Sequence, residues 1–114
     1  MATFTCWIQM LRAGVHTRAH RHTGSSVYLA FEGCGATVID GVRFSWTAGD
    51  MFVIPSWATH EHLNDEADPA LLFSVHDTPL LKAADKYRSE PHDSADGRQR
   101  VTGEFTANGA AKAT

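Results

Sequence analysis

Short apolar runs separated by turn-forming residues dominate the hydrophobic pattern before position 79. The runs are rich in β-branched and aromatic residues, which pack well on a pleated sheet, and no apolar stripe of helical spacing and useful length occurs among them. The turn signals lie at Ala13-Gly14, Thr23-Gly24, Gly33-Cys34-Gly35, Asp40-Gly41, Ala48-Gly49-Asp50, Pro55-Ser56 and Asn64-Asp65. The pattern therefore predicts an all-β sandwich or barrel rather than alternating strands and helices.

The strongest local signal is a β-hairpin over Ala36–Trp46 with Asp40-Gly41 at its tip. Asp-Gly between two arms of alternating apolar residues favours a type I′ turn, because glycine tolerates the positive φ that this turn requires. The other predicted strands are a segment around His20, Thr3–Leu11, Ser26–Glu32, Met51–Ile54, His60–Leu63 and Leu71–His76. Together with the hairpin arms they make about eight strands, the size of a jelly-roll barrel.

The character of the sequence changes at Pro79. Residues Leu80–Tyr87 predict one or two helical turns, and the polar sequence after Arg88 contains few apolar anchors. We therefore expect a barrel over residues 1–87 and a tail over residues 88–114 that is flexible or orders against a neighbouring subunit.

Length and charge restrict the partners. The chain has 114 residues, enough for one domain with a core, and its net charge of −3 offers no basic surface for nucleic acid or anionic lipid. It has no signal-like start and no segment long enough to span a membrane, so we expect a cytoplasmic protein. In a reducing cytosol Cys6 and Cys34 are expected to be small core residues. The apolar first strand, with Phe4, Trp7 and Ile8, is expected to be covered in a homodimer.

Three histidines on two predicted strands indicate a metal site. Successive side chains of a strand point to opposite faces, so His20 and His22 should lie on one face, about 7 Å apart along the chain. His60 completes a set of three imidazoles if the two strands face each other. Three imidazoles in an apolar barrel are costly unless each has a partner, and a divalent metal is such a partner. The alternative is three hydrogen-bonded core histidines without a metal.

The spacing of these residues resembles the two motifs of the cupin superfamily. The matching residues are Gly14, His20, His22 and Gly33 in the first motif and Gly49, Pro55, His60 and Asn64 in the second. The resemblance spans most of residues 3–78 and implies a single-domain jelly-roll barrel. Ser26 stands where the first motif usually has a Glu ligand, and Trp57 stands where the second usually has Gly. The resemblance therefore implies a ligand set of three histidines alone.

Longer segments are similar to gentisate 1,2-dioxygenase and its salicylate and hydroxynaphthoate relatives. The segments are residues 20–28, 55–62 and 71–81. Those enzymes have two cupin halves in each subunit, and this chain resembles one half, closest to the C-terminal one. The resemblance implies one divalent metal, natively iron(II), and ring cleavage of a hydroxylated aromatic substrate with insertion of both atoms of O₂. Nickel, zinc or manganese could replace iron in a purified sample.

Substrate recognition separates the alternative functions. In the catalytic half of the family an Arg holds the substrate carboxylate at the position of Tyr28, so gentisate is expected to bind weakly unless Arg18 or Arg43 reaches the cavity. A non-catalytic cupin that binds a small molecule is therefore the alternative function. A third alternative is hydrolysis at a zinc ion held by the same three histidines. It ranks last because it needs a general base near the metal, and Glu61 should point away from His60.

Four residues are candidates for substrate contact: Gln9, Tyr28, Trp57 and His62. Tyr28 should face inward by alternation from Ser26, and the motif position of Trp57 lies at the cavity rim. His62 is either a contact beside the metal or a rim histidine, and Gln9 faces either the cavity or solvent.

Aromatic side chains should complete the site. The candidates for its apolar wall are Phe31, Phe52 and Phe73, and the sequence leaves open which of them face inward. His76 ends a strand and is expected at the surface, while His16 and His92, in a loop and in the tail, are assigned no role.

Overall fold

Two β-sheets pack face to face in the computed structural model, which describes residues 4–91 and 99–106. The strands are β1 Thr5–Leu11, β2 His20–His22, β3 Ser26–Glu32, β4 Cys34–Ile39, β5 Val42–Thr47, β6 Met51–Ile54, β7 His60–Leu63, β8 Ala70–His76, β9 Ser89–Pro91 and β10 Gly103–Thr106. The four-stranded sheet has the order β1-β8-β3-β6 and the six-stranded sheet the order β10-β5-β4-β7-β2-β9. The predicted all-β, jelly-roll architecture is confirmed.

Strand limits follow the sequence pattern closely. β3, β6 and β7 begin and end as predicted, and β8 begins one residue earlier. The hairpin of β4 and β5 turns at Asp40 and Gly41, with φ values of 47° and 84°, as an Asp-Gly type I′ turn requires. The single helix in the described residues, α1, covers Thr78–Ala83 rather than Leu80–Tyr87, because Pro79 suits the first turn of a helix. No helix in the described residues is long and apolar enough to cross a membrane.

The core lies between the inner faces of the two sheets. Its buried cluster contains Leu11, Tyr28, Ala30, Ile39, Trp46, Ile54, Ala58, Ala70 and Leu72, which come from both sheets. Alternation along β1 places Leu11 inside and Cys6, Ile8 and Met10 outside. The expectation that Cys6 is a core residue is therefore wrong, since its strand turns the thiol to the outer face, where it is exposed.

Two described segments of the tail lie on the chain's own sheet. β9 pairs antiparallel with β2, and β10 pairs parallel with β5. Gln99 is hydrogen-bonded to the backbone of Gly41 and Val38. This differs from the expected flexible or partner-bound tail, because edge strands offer unpaired backbone groups that a polar segment can satisfy whatever its side chains. His92 lies outside the described residues.

We predict that Gly33→Ala destabilises the fold more than Gly49→Ala does. Gly33 has a φ of 80°, and a Cβ there would lie 2.7 Å from the carbonyl oxygen of Pro69 and 2.9 Å from Cα of Ala70. Gly49 has a φ of 98° but nothing within 4 Å of a Cβ. Gly49→Ala should therefore cost about 1 kcal/mol from backbone conformation alone, and Gly33→Ala about 3 kcal/mol because β8 must also shift.

Urea denaturation of both variants and the wild type measures these costs. Equal losses would show that β8 does not approach this turn as closely as the structure indicates.

Candidate metal centre

The three predicted ligands converge where β2 pairs with β7. His20 lies opposite His60 in this antiparallel pair, and His22 follows two residues along the same face of β2. The ring centroids of His20 and His60 are 4.4 Å apart, and those of His22 and His60 are 5.2 Å apart. One nitrogen from each of the three rings lies within 4.8 Å of the others. The spacing suits three ligands of one ion.

Backbone carbonyls orient all three rings. The Nδ1 atoms of His20, His22 and His60 lie 3.4, 3.0 and 3.0 Å from the carbonyl oxygens of Arg18, Thr23 and Ala58. A carbonyl oxygen only accepts hydrogen bonds, so each Nδ1 must carry the hydrogen. Each Nε2 then keeps its lone pair, the state that a metal-binding imidazole needs. The donor set therefore fits a divalent metal better than three hydrogen-bonded core histidines.

Burial keeps the imidazoles of His20 and His60 neutral. It lowers the pKa of His60 to about 4 and also lowers the pKa of His20. The neighbouring imidazoles lower both values further, because each would be a positive charge if protonated. At neutral pH protons therefore compete weakly with a metal for these two nitrogens.

A histidine and two serines occupy the position beside the three ligands where related cupins carry a carboxylate. Ser26 is buried, and its Oγ lies 2.7 Å from Nδ1 of His76. Oγ of Ser74 lies 2.8 Å from Nε2 of the same ring. The expectation that His76 is a surface residue is wrong, because β8 turns residues 70, 72, 74 and 76 to the inner face.

The site opens into a cavity of about 510 Å³, a volume typical of small-ligand sites. Its lining consists of Trp7, Ile8, Gln9, Met10, Thr17, His20, His22, Tyr28, His60, His62, Ser74 and His76. A second cavity of about 460 Å³ shares Trp7, His20, His22 and His76 with it and adds Lys82 and Tyr87 from the α1 region. Three of the four candidate substrate contacts, Gln9, Tyr28 and His62, thus line the same cavity as the three histidines.

His62 is fully enclosed rather than placed at the rim. Its Nδ1 lies 2.8 Å from Oγ1 of Thr37, which also accepts a hydrogen bond from the indole nitrogen of Trp46. Thr37 is fully buried, and Nδ1 of His62 is the one acceptor that the described residues offer to its hydroxyl hydrogen, so the hydroxyl donates to His62 Nδ1. Nε2 of His62 then carries the hydrogen, the reverse of the three ligand histidines. Burial lowers the pKa of His62 to about 3, so it is a neutral donor.

Tyr28 forms the floor of the cavity. Its ring stacks on Phe52 with 5.1 Å between centroids and lies 5.0 Å from the ring of His62. Burial raises the pKa of Tyr28 to about 12, so the phenol stays protonated. Among the three candidate phenylalanines, Phe52 packs against the core, whereas Phe31 and Phe73 border an apolar groove on the outer face of the four-stranded sheet. The sequence left open which of the three face inward, and in the structure Phe52 does, whereas the pleat turns Phe31 and Phe73 outward.

Trp57 does not line either cavity, contrary to its assignment as a substrate contact. Its ring lies 4.4 Å from the guanidinium carbon of Arg21. Its φ of 67° is left-handed, which explains why related cupins have Gly here. The backbone N–H of Trp57 donates to the carbonyl oxygen of His22 at 2.8 Å, so this residue supports a ligand strand through its backbone.

Neither of the two arginines that could have held a substrate carboxylate lines the cavities. Arg43 is hydrogen-bonded to Asp65 at the surface, and Arg18 lines neither cavity. Lys82 is the one Lys or Arg among the residues that line them. The carboxylate clamp of the resembling enzymes therefore has no arginine equivalent in the described residues.

The buried carboxylate of Glu61 stabilises the side of β7 that faces away from the three histidines. Glu61 lies between His60 and His62 but points to the opposite side of β7, where it is bonded to Nε2 of His16 and accepts from the backbone N–H of Gln99. Sequence reasoning assigned His16 no role, because nothing in the sequence shows that this loop and the tail meet at Glu61. The carboxylate of Glu61 is thus occupied by His16 and Gln99. It is not placed to act as a general base beside the three histidines.

Comparison with known proteins agrees with this geometry. The family profile described as cupin domain matches residues 7–76. The chain belongs to the cupin family. This cupin is 43% identical over 105 residues to 5-aminosalicylate 1,2-dioxygenase of Comamonas sp., an alignment that covers 92% of the chain and 28% of the relative. It is 36% identical over 92 residues to 1-hydroxy-2-naphthoate 1,2-dioxygenase of Nocardioides sp. strain KP7, covering 80% of the chain and 24% of the relative.

A solved structure shows the same likeness. Salicylate 1,2-dioxygenase from Pseudoaminobacter salicylatoxidans, crystallised as an adduct with gentisate, superimposes with a TM-score of 0.75 and 36% identity. The match covers 79% of this cupin and 24% of that chain. This cupin thus spans about a quarter of the length of these relatives.

We predict that His20→Ala, His22→Ala and His60→Ala each lose tight metal binding, because each removes one of three convergent nitrogens. The barrel should stay folded, since its core cluster contains none of the three histidines. His76→Ala is the matched control and should keep its metal, because the ring nitrogens of His76 are engaged by Ser26 and Ser74.

Isothermal titration with iron(II) under anaerobic conditions, alongside circular dichroism, checks this prediction. Full metal occupancy in any of the three alanine variants would remove that residue from the ligand set, and loss of binding in His76→Ala would add a fourth ligand.

Proposed function

We propose that this cupin holds one divalent metal, natively iron(II), through His20, His22 and His60 and cleaves the ring of a hydroxylated aromatic compound with insertion of both atoms of O₂. The observation that carries the proposal is the arrangement of three Nδ1-anchored imidazoles at a cavity with inward-facing polar donors. The similarity to 5-aminosalicylate 1,2-dioxygenase and 1-hydroxy-2-naphthoate 1,2-dioxygenase, both ring-cleaving dioxygenases of hydroxylated or amino-substituted aromatic acids, supports the same chemistry.

A metal held by three neutral imidazoles would retain its full positive charge and supply Lewis-acid and redox chemistry to a chelating substrate and O₂. The chain's own residues would orient the substrate. His62 presents an N–H and Tyr28 a phenol, both neutral, on one side of the cavity. Donors of this kind suit the hydroxyl or phenolate oxygen of an aromatic substrate. The flat face of Tyr28, backed by Phe52, limits water at the same position.

The lining also restricts the substrate. A bidentate arginine is absent from the described lining, and Lys82 lies beside Tyr87 in the second cavity, with Nζ 5.1 Å from the ring centroid. Lysine offers a point charge on a flexible stem rather than a planar fork. We therefore propose a substrate less anionic than gentisate, such as a catechol. The same feature favours the second candidate function, a cupin that binds such a compound without turning it over.

We predict that anaerobically prepared, iron(II)-loaded protein consumes O₂ with catechols and turns over gentisate or salicylate slowly or not at all. Oxygen-electrode traces with ring-opened products identified by mass spectrometry measure this, and the His60→Ala variant is the control for unbound iron. Ligand binding without O₂ uptake across the panel would favour the non-catalytic function. If the Lys82→Met variant still bound gentisate with submillimolar affinity, the proposal that the substrate is less anionic than gentisate would be wrong.

We further predict that His62→Phe weakens substrate binding about tenfold or more while leaving metal affinity within about threefold, because one hydrogen bond to a charged or polarised oxygen is worth roughly 1.5–3 kcal/mol. His62→Gln, which keeps a donor, should recover part of the loss. Parallel titrations with metal and with a catechol separate the two effects. Equal loss of metal binding in both variants would make His62 a ligand instead of a donor.

A further inference from the structure

A row of four paired residues crosses the inner face of the four-stranded sheet. Strand pairing aligns Trp7 on β1, Ser74 on β8, Tyr28 on β3 and Phe52 on β6. The rings of Tyr28 and Phe52 are parallel to within 4°, and their centroids are 5.1 Å apart. This separation is close to the spacing of about 4.8 Å between neighbouring strands. The two rings therefore stack along the direction of the row.

The stack is interrupted at Ser74. Phe52 covers one face of the Tyr28 ring, so the other face is directed along the row towards β8 and β1. Serine has no ring, and the next aromatic side chain in the row is Trp7, two strands from Tyr28. The ring of His76 stands edge-on to Tyr28, at 81°, and so borders this gap instead of continuing the stack.

The width of the gap suits one aromatic ring. Two strand spacings separate the backbones of Trp7 and Tyr28 by about 10 Å. Aromatic rings stack with centroids about 4.5–7 Å apart, so one planar ring placed over Ser74 would be within stacking distance of both neighbours. Ser74, Tyr28 and Trp7 line the same cavity as the three ligand histidines.

The indole of Trp7 has no partner within the described part of the chain. Alternation along β1 puts Trp7 on the inner side with Gln9 and Leu11, yet it is 60% exposed because β1 is an edge strand. No described ring packs against the indole, and its N–H has no hydrogen-bond partner among the described residues. Trp7 lines both cavities together with His20 and His22. A bare indole at the mouth of a cavity indicates a surface that a ligand covers.

The other two tryptophans are engaged elsewhere. Trp46 is 2% exposed, and its indole nitrogen donates to Oγ1 of Thr37. Trp57 lies over the guanidinium of Arg21. Neither lines a cavity beside the three histidines. Trp7 is therefore the one tryptophan whose ring can meet a ligand there.

We infer that the gap over Ser74 is the binding position of a planar aromatic ring, and that Trp7 determines the preference of the site for aromatic over aliphatic chelating ligands. The inference rests on the proposed metal site, because the three histidines would hold the ion that binds the oxygens of the ligand. A ring between Trp7 and Tyr28 would complete the stack and cover the exposed indole. An aliphatic chelator with the same oxygens would leave both rings bare.

Two chelators that share one metal-binding group test the inference in zinc-loaded protein. Benzohydroxamate and acetohydroxamate present the same two oxygens, but only benzohydroxamate has a ring. In isothermal titrations the wild type should bind benzohydroxamate more tightly. Trp7→Leu should reduce this preference about three- to tenfold, because one stacking contact is lost, and should leave acetohydroxamate affinity within about twofold.

Two further variants control for the loss of an aromatic residue. Trp7→Phe keeps a ring at the gap and should retain most of the preference. Phe31→Leu makes a matched change on the outer face of the same sheet, where Phe31 is 64% exposed and lines neither cavity, and should retain all of it.

Tryptophan fluorescence provides a second readout. Since Trp46 and Trp57 line neither cavity, quenching by benzohydroxamate should come from Trp7 and should disappear in Trp7→Phe. Equal affinity ratios in the wild type and Trp7→Leu, or quenching that persists in Trp7→Phe, would overturn the inference and leave the metal site intact. Failure of zinc to bind would instead refute the proposed metal site, and the inference with it.

Discussion

The pairing of β2 with β7 is the constraint on which the candidate site depends. β2 is only three residues long, and a single register pair, His20 with His60, joins it to β7. β9 pairs with its other edge, and the backbone N–H of Trp57 reaches the carbonyl oxygen of His22. These backbone hydrogen bonds, rather than side-chain packing, set the distance between the imidazoles. A change that displaces β9 or the turn at Trp57 should therefore affect the metal site without touching a ligand.

Hydrogen-bond direction distinguishes the five histidines that line the cavity. Backbone carbonyls leave His20, His22 and His60 with free lone pairs at Nε2, whereas the hydroxyl of Thr37 leaves His62 with a hydrogen there. Both ring nitrogens of His76 are engaged by Ser26 and Ser74, so three of the five imidazoles are left as candidate ligands of one ion. Since Ser26 replaces the usual carboxylate, no negative charge from this position would offset a metal held by the three histidines, and the oxygens of a bound ligand would be the main source of compensation.

Period-two alternation and turn chemistry were sufficient to predict most of the barrel. They placed β3, β6 and β7 correctly and brought three candidate ligands together, because strand alternation depends only on sequence spacing. The errors arose where the outcome depends on partners far away in sequence. His76 faces inward because of its register with Ser26, and Glu61 meets His16 and Gln99 through a loop and the tail.

One further error and one open question have local causes. Trp57 has a left-handed backbone, and although its motif position usually holds Gly, the motif does not show where a bulky side chain points from such a backbone. The orientation of Phe31 and Phe73 stayed open because β8 has apolar residues both inward, at 70 and 72, and outward, at 71, 73 and 75, so alternation of apolar and polar residues could not tell inside from outside.

X-ray absorption spectroscopy of the iron(II)-loaded protein reports the ligands of the ion itself and so tests the three-histidine site. We expect a first coordination shell of nitrogen and oxygen atoms, with outer-shell scattering from three imidazole rings. A shell with two or four imidazoles, or with sulfur from a cysteine, would contradict it.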